Sequence, residues 1–275
     1  MKPLIICISV VLSALFARAQ GLEKVIVEKY YVSDANDAKA LSGKYLPAGS
    51  VTYRVYLDLK PGFKFQAVYG SPKHELKIAT TGHFFNYEDY GDVIPNVIPD
   101  RVLGNYLAML DSWISAGGAS ESNLGILKED DKEGGVINEK GFLQNADPAA
   151  GIPLKNRDGM IAGKPPRVTV FGIDSLIKIF GNHNSLKEGQ LFQTNNGSWA
   201  CLEGSEGPTQ ENRILIGQFT TNGVFSFELN VQIGTPYGGA EQYVAQNPAG
   251  SEIKMISLSY SSDTKTSKAS KEVTK

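Results

Sequence analysis

The chain has 275 residues, with 27 lysines and arginines against 29 aspartates and glutamates, so its formal net charge is −2. This balance argues against nucleic acid as the natural partner, because phosphate contacts require clustered lysines and arginines. A chain of this length is sufficient to bury a core that holds a domain together without disulfides.

Residues 1–19 have the pattern of a signal peptide. Lys2 precedes the apolar run Leu4–Phe16, which is shorter than the about 20 residues of a transmembrane helix. Ala17-Arg18-Ala19 supplies the small residues that a signal peptidase accepts, so we expect cleavage before Gln20. No later stretch has the length and apolarity of a transmembrane segment. We therefore predict a secreted protein, located in the periplasm, on the outer cell surface or outside the cell.

Cleavage removes Cys7 and leaves Cys201 as the only cysteine of the mature chain. No disulfide within the chain is then available, and stability has to come from the core. Cys201 lies two residues after Trp199 in an apolar stretch, and we interpret it as a buried, inert thiol.

Alternation of apolar and polar residues predicts β-strands along most of the mature chain. In 51–59 the apolar residues fall on one face, while Thr52, Arg54, Tyr56 and Asp58 fall on the other, which is typical of a half-buried strand. The further predicted strands are 63–69, 74–81, 167–171, 175–180, 213–221, 224–233 and 251–260.

Two turn sequences predict hairpins. Pro61-Gly62 separates the strands 51–59 and 63–69, and Asn222-Gly223 separates 213–221 from 224–233. Residues 101–114 carry apolar side chains at helical spacing and predict a helix, although Gly104 lies inside it. The whole pattern predicts an all-β chain, an antiparallel β-sandwich or jelly-roll-like fold with at most one or two short helices.

We expect one β-rich domain over residues 20–260. The Pro- and Gly-rich stretch 144–166 leaves open a division into two halves that meet there. Residues 261–275 are rich in lysine, serine and threonine and nearly devoid of apolar side chains, which predicts a disordered tail.

No standard catalytic signature is present. The sequence has neither a G-x-S-x-G elbow nor a P-loop, and His74, His83 and His183 lie far apart in the chain. A nucleophile–histidine–acid triad and a pair of catalytic carboxylates need no sequence proximity, so both stay open. The pattern favours a non-catalytic protein over an enzyme.

Three acidic stretches offer the oxygen ligands that Ca²⁺ prefers, namely 34–37, 86–92 and 129–131. None has EF-hand spacing, and solvated acidic loops are the alternative interpretation. Aromatic residues flank the second stretch and suggest a loop packed in place. The predicted Ca²⁺ ligands are Asn86, Glu88, Asp89 and Asp92.

Exposed aromatic rings stack on the apolar faces of sugars, whereas aromatic residues at strand spacing usually belong to a core. Tyr237 lies in the loop sequence Gly-Thr-Pro-Tyr-Gly-Gly, and Tyr87 and Tyr90 lie in the acidic loop. We predict these three tyrosines as ligand-binding residues.

Four segments carry a family resemblance: VTYRVYLDLKPGFKFQAVYG, TTGHFFNYEDYG, LDSWISAGG and ILIGQFTTNGVFSFELNVQIG. Together they resemble an uncharacterised β-rich module of exported proteins common in Bacteroidetes. The resemblance implies an extracellular or cell-surface module and assigns no functional residue. Relatives often continue into a C-terminal sorting domain, whereas this chain ends in its Lys/Ser/Thr-rich tail.

These observations predict a secreted, non-catalytic module with a structural, adhesive or ligand-binding role, stabilised by Ca²⁺ if the acidic loop binds it. Its expected partner is an extracellular glycan or a cell-surface protein. The alternative is a secreted hydrolase that cleaves polysaccharide with loop carboxylates.

Overall fold

The computed structural model describes residues 20–35, 37, 46–87, 89–103, 107–132, 158–181 and 190–263. These ranges contain sixteen β-strands and no helix of seven or more residues, which confirms the predicted all-β class. The strands are β1 Leu22–Val32, β2 Val51–Leu59, β3 Lys64–Gly70, β4 Leu76–Thr80, β5 Trp113–Ile114, β6 Asn123–Gly125, β7 Met160–Ala162, β8 Thr169–Phe171, β9 Leu191–Thr194, β10 Gly197–Ser205, β11 Arg213–Thr221, β12 Phe225–Glu228, β13 Asn230–Gly234, β14 Ala240–Val244, β15 Ile253–Lys254 and β16 Ser259–Ser261. Short 3-10 turns lie at Pro95–Val97, Asp100–Val102, Ala108–Leu110, Ile177–Phe180 and Ile256–Leu258.

The strands form three larger sheets and one strand pair. The first sheet has the order β1-β2-β11-β5, the second β15-β14-β13-β3-β10-β8 and the third β16-β12-β4-β9, while β6 pairs with β7. Neighbours are antiparallel except for β14 and β15, which are parallel. Most neighbouring strands are distant in sequence, so long-range pairing determines the architecture.

The main core lies between the three larger sheets. The apolar face of β2 contributes Tyr53, Val55 and Leu57, as the alternation predicts. The rings of Tyr53 and Phe225 stack with centroids 5.0 Å apart, and Phe219 stacks on Phe225 at 5.3 Å. Aromatic pairs of this geometry add about 0.5 to 1.5 kcal/mol to the stabilisation from burial alone.

The second face of β2 is buried as well, so the expectation of a half-buried strand was wrong. Thr52, Arg54, Tyr56 and Asp58 are all buried. The described parts of segment 85–127, together with Met160, form a second apolar cluster against this face. Alternating polar residues predict a solvent-exposed strand face only where no other segment packs on that face. Here the described parts of segment 85–127 pack on the polar face of β2.

Neither predicted hairpin forms, because both turns carry the chain from one sheet to another. β2 pairs with β1 and β11, whereas β3 pairs with β10 and β13. Asn222-Gly223 likewise joins β11 of the first sheet to β12 of the third, and neither residue has the positive φ of a type I′ turn. A Cβ on Gly223 would lie 2.0 Å from the backbone nitrogen of Gly82, so this glycine permits a close approach of two loops.

Two other predicted elements were also wrong. The expected helix over 101–114 is replaced, within the described residues, by two 3-10 turns and strand β5. The expected strand 175–180 is a 3-10 turn that buries Ile177, Ile179 and Phe180. Burial of three of its four residues produced an apolar pattern that resembles a strand.

The predicted signal peptide and residues 264–275 of the predicted tail lie outside the described residues. Ser261, the first residue of the predicted tail, belongs to strand β16. Strand β7 lies in the described end of the stretch 144–166 and pairs with β6. Within the described ranges, no helix has the length and apolarity needed to cross a membrane. Cys201 is buried and free, as expected.

Candidate ligand-binding face

The second sheet has one face in the core and one outer face. Val68, Trp199 and Val231 point into the core. Because side chains alternate along a strand, their neighbours point outward. Strand register aligns five of these neighbours in a row across β14, β13, β3, β10 and β8, namely Gln242, Gln232, Ala67, Ala200 and Thr169.

Glutamine side chains form a hydrogen-bonded chain at one end of this row. The Gln232 Nε2 donates to Gln66 Oε1 at 2.9 Å, and Gln242 Nε2 donates to Gln232 Oε1 at 3.5 Å. Gln66 lies beside a register shift in β3, which brings its side chain to the outer face next to Ala67. The result is a line of amides at about 4.8 Å strand spacing that presents both donors and acceptors.

Aromatic rings occupy the adjacent row of the same face. Tyr69 of β3 and Phe171 of β8 both pair with Ser198 of β10, so about 10 Å separates their Cα atoms. Phe171 is 47 % exposed, so about half of its side chain is open to solvent. The residues named in these two rows are uncharged, while Lys64, which pairs with Gly234, and Lys254, which pairs with Val244, lie at the margins of the same face.

Tyr69 supports the edge of this face near the connection 71–75. Its hydroxyl is enclosed and has no hydrogen-bond partner among the described residues. Burial and, secondarily, the Glu252 carboxylate raise the pKa of Tyr69 to about 12, so its hydroxyl is neutral at physiological pH. Glu252 itself contacts His74 at 2.8 Å and accepts a hydrogen bond from the Ala249 N–H.

Tyr237 lies at the tip of the hairpin between β13 and β14, on the same sheet. It is 95 % exposed, in agreement with the expected loop position. The Thr235 hydroxyl donates to the Gly238 carbonyl at 2.7 Å, and Gly238 and Gly239 adopt positive φ values that favour glycine. The turn therefore presents the tyrosine ring to solvent, and its role in ligand binding stays a prediction.

The described residues of the acidic loop 86–92 fold around a carboxylate from elsewhere in the chain. Asp111 is buried and accepts hydrogen bonds from the backbone nitrogens of Tyr87 at 2.7 Å and Asp92 at 2.9 Å. A Cβ on Gly91 would lie 2.4 Å from Asp111 Oδ2. Burial raises the pKa of Asp111 well above its usual range, although these backbone N–H groups oppose the shift.

The predicted metal ligands of this loop are dispersed. Asn86 donates to the Ile179 carbonyl at 2.8 Å, Asp89 is exposed, and the Asp92 carboxylate accepts the Ile94 N–H at 3.4 Å. Glu88 lies outside the described residues. No group of three or more His, Cys, Asp or Glu side chains in the described ranges is placed to hold a metal ion. The Ca²⁺ site stays a prediction without structural support.

The tyrosines of this loop differ in accessibility. Tyr87 is 8 % exposed and contributes to the second apolar cluster, which leaves little of its ring for a ligand. Tyr90 is 45 % exposed, and its ring centroid lies 6.1 Å from that of Tyr87. Of the three predicted tyrosines, Tyr237 and Tyr90 are therefore the ones exposed enough to contact a ligand.

The other acidic stretches serve the fold in their described parts. Asp37 accepts hydrogen bonds from the Tyr31 hydroxyl and from the Asp34 N–H. Asp130 pairs with Arg213 at 2.7 Å, and the Asp131 carboxylate accepts the Gly159 N–H at 2.9 Å. These carboxylates are engaged with protein groups.

Sequence reasoning missed the outer face of the second sheet. Its glutamines and Phe171 come from strands far apart in the chain, so no local motif connects them. Only the register of five strands brings them into two rows. The available signal was the polar half of the alternating strand 224–233, which contains Gln232.

Comparison of the chain with protein-family models, with curated proteins and with solved structures found no match, so the resemblance to an exported module family stays a prediction.

Proposed function

We propose that this protein is an exported, non-catalytic module that binds a neutral glycan on the outer face of its six-stranded second sheet. The observation that carries the proposal is the hydrogen-bonded row Gln66–Gln232–Gln242 beside the exposed ring of Phe171. The signal-peptide pattern of residues 1–19 supports contact with extracellular ligands.

The chemistry of the face suits a sugar chain. Each glutamine amide has two N–H donors and one acceptor oxygen. It can therefore bond a sugar hydroxyl that donates as well as one that accepts. Phe171 and Tyr69 offer ring surface for the apolar side of a pyranose, and the small side chains of Ser198 between them and of Ala67 and Ala200 in the next row leave the sheet flat. The amides and rings of the two rows carry no charge and suit a neutral polysaccharide, and the lysines Lys64 and Lys254 lie at the margins of the face.

Tyr237 extends the proposed site at the end of the β13–β14 hairpin. A tyrosine that is 95 % exposed on a hydrogen-bonded turn supplies contact area with little loss of side-chain entropy. It is therefore positioned to hold the part of a glycan that projects past the sheet.

A glycan array probed with residues 20–275 tests the proposal. We expect binding to one class of neutral glycan, and added calcium should leave the pattern unchanged if the face alone binds. Binding only to acidic glycans, or no binding to any glycan, would contradict the proposal. Release of reducing sugar from the bound glycan would instead favour the hydrolase alternative.

A further inference from the structure

The first described residues contact a polar site on strand β14 that consists of the side chains of Glu241 and Tyr243, called the seat below. The Gly21 N–H donates both to the Tyr243 hydroxyl at 2.7 Å and to Glu241 Oε2 at 2.9 Å. The Leu22 N–H donates to the same hydroxyl at 3.1 Å, and that hydroxyl donates to Glu241 Oε2 at 2.5 Å. The Tyr243 hydroxyl therefore uses its one donor and both of its acceptor positions.

The seat fixes the backbone closely around position 21. The Gly21 carbonyl accepts the Lys60 N–H at 2.8 Å, and Leu22 is almost fully buried. An ideal Cβ on Gly21 would lie 2.0 Å from Cδ1 of Phe63, so only glycine fits here without movement. These contacts join β1 of the first sheet to β14 of the second.

We infer that the Glu241 carboxylate of this seat is the counter-ion for the new N-terminal ammonium group that leader removal creates at Gln20. The inference goes beyond glycan binding and rests only on the expected cleavage between Ala19 and Gln20. The Gln20 nitrogen is one residue from the Gly21 nitrogen, so standard bond lengths place it within about 7 Å of the Glu241 carboxylate.

Cleavage changes the charge of that nitrogen. In the unprocessed chain it is a neutral peptide nitrogen, whereas in the mature chain it is an ammonium near a partly buried carboxylate. An opposite charge within about 4 to 6 Å favours the charged form, and a rotation of the Glu241 or Gln20 bonds is enough to bring the two groups into that range. Processing thus adds an ion pair at the junction of the two sheets and stabilises the mature chain.

The test compares two N-termini on an otherwise identical chain. One protein begins at position 20 with the substitution Gln20→Ala, since an N-terminal glutamine can cyclise with loss of ammonia and of its charge. The second carries glycine and serine ahead of the same position. Each is also made with Glu241→Gln, and with Glu228→Gln, a β12 carboxylate, as the matched control.

We expect the protein with its amine at position 20 to melt about 1 to 3 °C above the extended one. Glu241→Gln should abolish this difference, and Glu228→Gln should keep it. Equal melting temperatures for the two N-termini, or a difference that survives Glu241→Gln, would overturn the inference.

A direct titration covers the case in which Glu241→Gln fails to fold. The pKa of the ¹⁵N-labelled α-amine at position 20 should lie above its ordinary range of about 7.7 to 8.0, and an unshifted value would also overturn the inference. None of these changes touches the outer face of the second sheet, so glycan binding is tested independently.

Discussion

The guanidinium carbon of Arg54 lies 3.5 Å from the centre of the Tyr30 ring, and both side chains are fully buried. Arg54 also donates from Nε to Gln218 Oε1 and from Nη1 to the Gly159 carbonyl, both at 2.8 Å. The Tyr30 hydroxyl donates to the Asp158 carbonyl at 2.5 Å. This pair therefore connects the first sheet to residues 158–159, which follow the undescribed segment 133–157.

Arg54→Ala should destabilise the protein by about 3 to 5 kcal/mol, because it leaves buried acceptors without their donor. Urea unfolding of the variant measures the loss. Arg213→Ala is the control, since Arg213 is a partly exposed arginine paired with Asp130 and Asp58, and its loss should be smaller than that of Arg54. Equal losses in the two variants would contradict the assigned role of Arg54.

Lys128 gives the stability a predictable dependence on pH. Its ammonium donates to the Tyr30 carbonyl at 2.7 Å, and burial lowers the pKa of Lys128 from 10.5 to about 8. The folded protein therefore releases this proton at a lower pH than the unfolded chain does. Consequently the Lys128 contribution to the free energy of unfolding rises with pH between about 8 and 10.5.

Lys128→Met should remove this rise with pH. At pH 7 it should also increase the free energy of unfolding by about 1 to 3 kcal/mol, reduced by the contribution of the lost hydrogen bond to the Tyr30 carbonyl. Denaturant unfolding gives the free energy of unfolding of both proteins at pH 7 and pH 9.5. The difference between the two proteins at each pH isolates Lys128, because the other titrating groups are common to both. A gap between the two proteins that does not narrow as the pH rises would contradict the assignment.

Asp111→Ala should destabilise the protein by about 2 to 4 kcal/mol, because the buried N–H groups of Tyr87 and Asp92 lose their acceptor. Thermal unfolding with a chelator present measures the effect of the carboxylate alone. Asp89→Ala changes an exposed residue of the same loop and should lie within about 0.5 kcal/mol of the parent protein. A larger effect for Asp89 than for Asp111 would contradict this account of the loop.

The calcium prediction from the sequence has its own test. If residues 86–92 bind Ca²⁺, a chelator should lower the melting temperature, and Asp89→Ala should remove that dependence. A melting temperature that is the same with calcium and with chelator would contradict calcium binding and leave Asp111 as the organiser of the loop.

Local periodicity predicted several of the strands but failed at 175–180, which is a 3-10 turn, and missed β10. The apolar face of 51–59 lies in the core as expected. The alternation of 224–233 is likewise correct, although the chain bends at Leu229, so that β12 joins the third sheet and β13 the second. Strands of this kind carry their signal within a few residues, because side chains alternate between the two faces.

The pairing of the strands, and the burial of a sheet face by a distant segment, could not be predicted from local periodicity. Pro61-Gly62 and Asn222-Gly223 have hairpin sequences, yet the strand after each turn pairs in a different sheet from the strand before it. Arg54 has the pattern of a solvent-facing residue, and only the packing of a distant segment buries it. The candidate face depends on both factors, since its residues meet through register between strands from the whole length of the chain.

The most direct test of glycan binding is the affinity of the best ligand from the array, measured by titration calorimetry on three variants. Phe171→Ala and Gln232→Ala should each weaken binding about 10-fold or more, as expected when a stacking ring or a paired amide is lost. Tyr90→Ala removes an equally exposed aromatic residue outside the second sheet and should leave the affinity unchanged. Unchanged affinity in both face variants, or a loss confined to Tyr90→Ala, would contradict the proposed site.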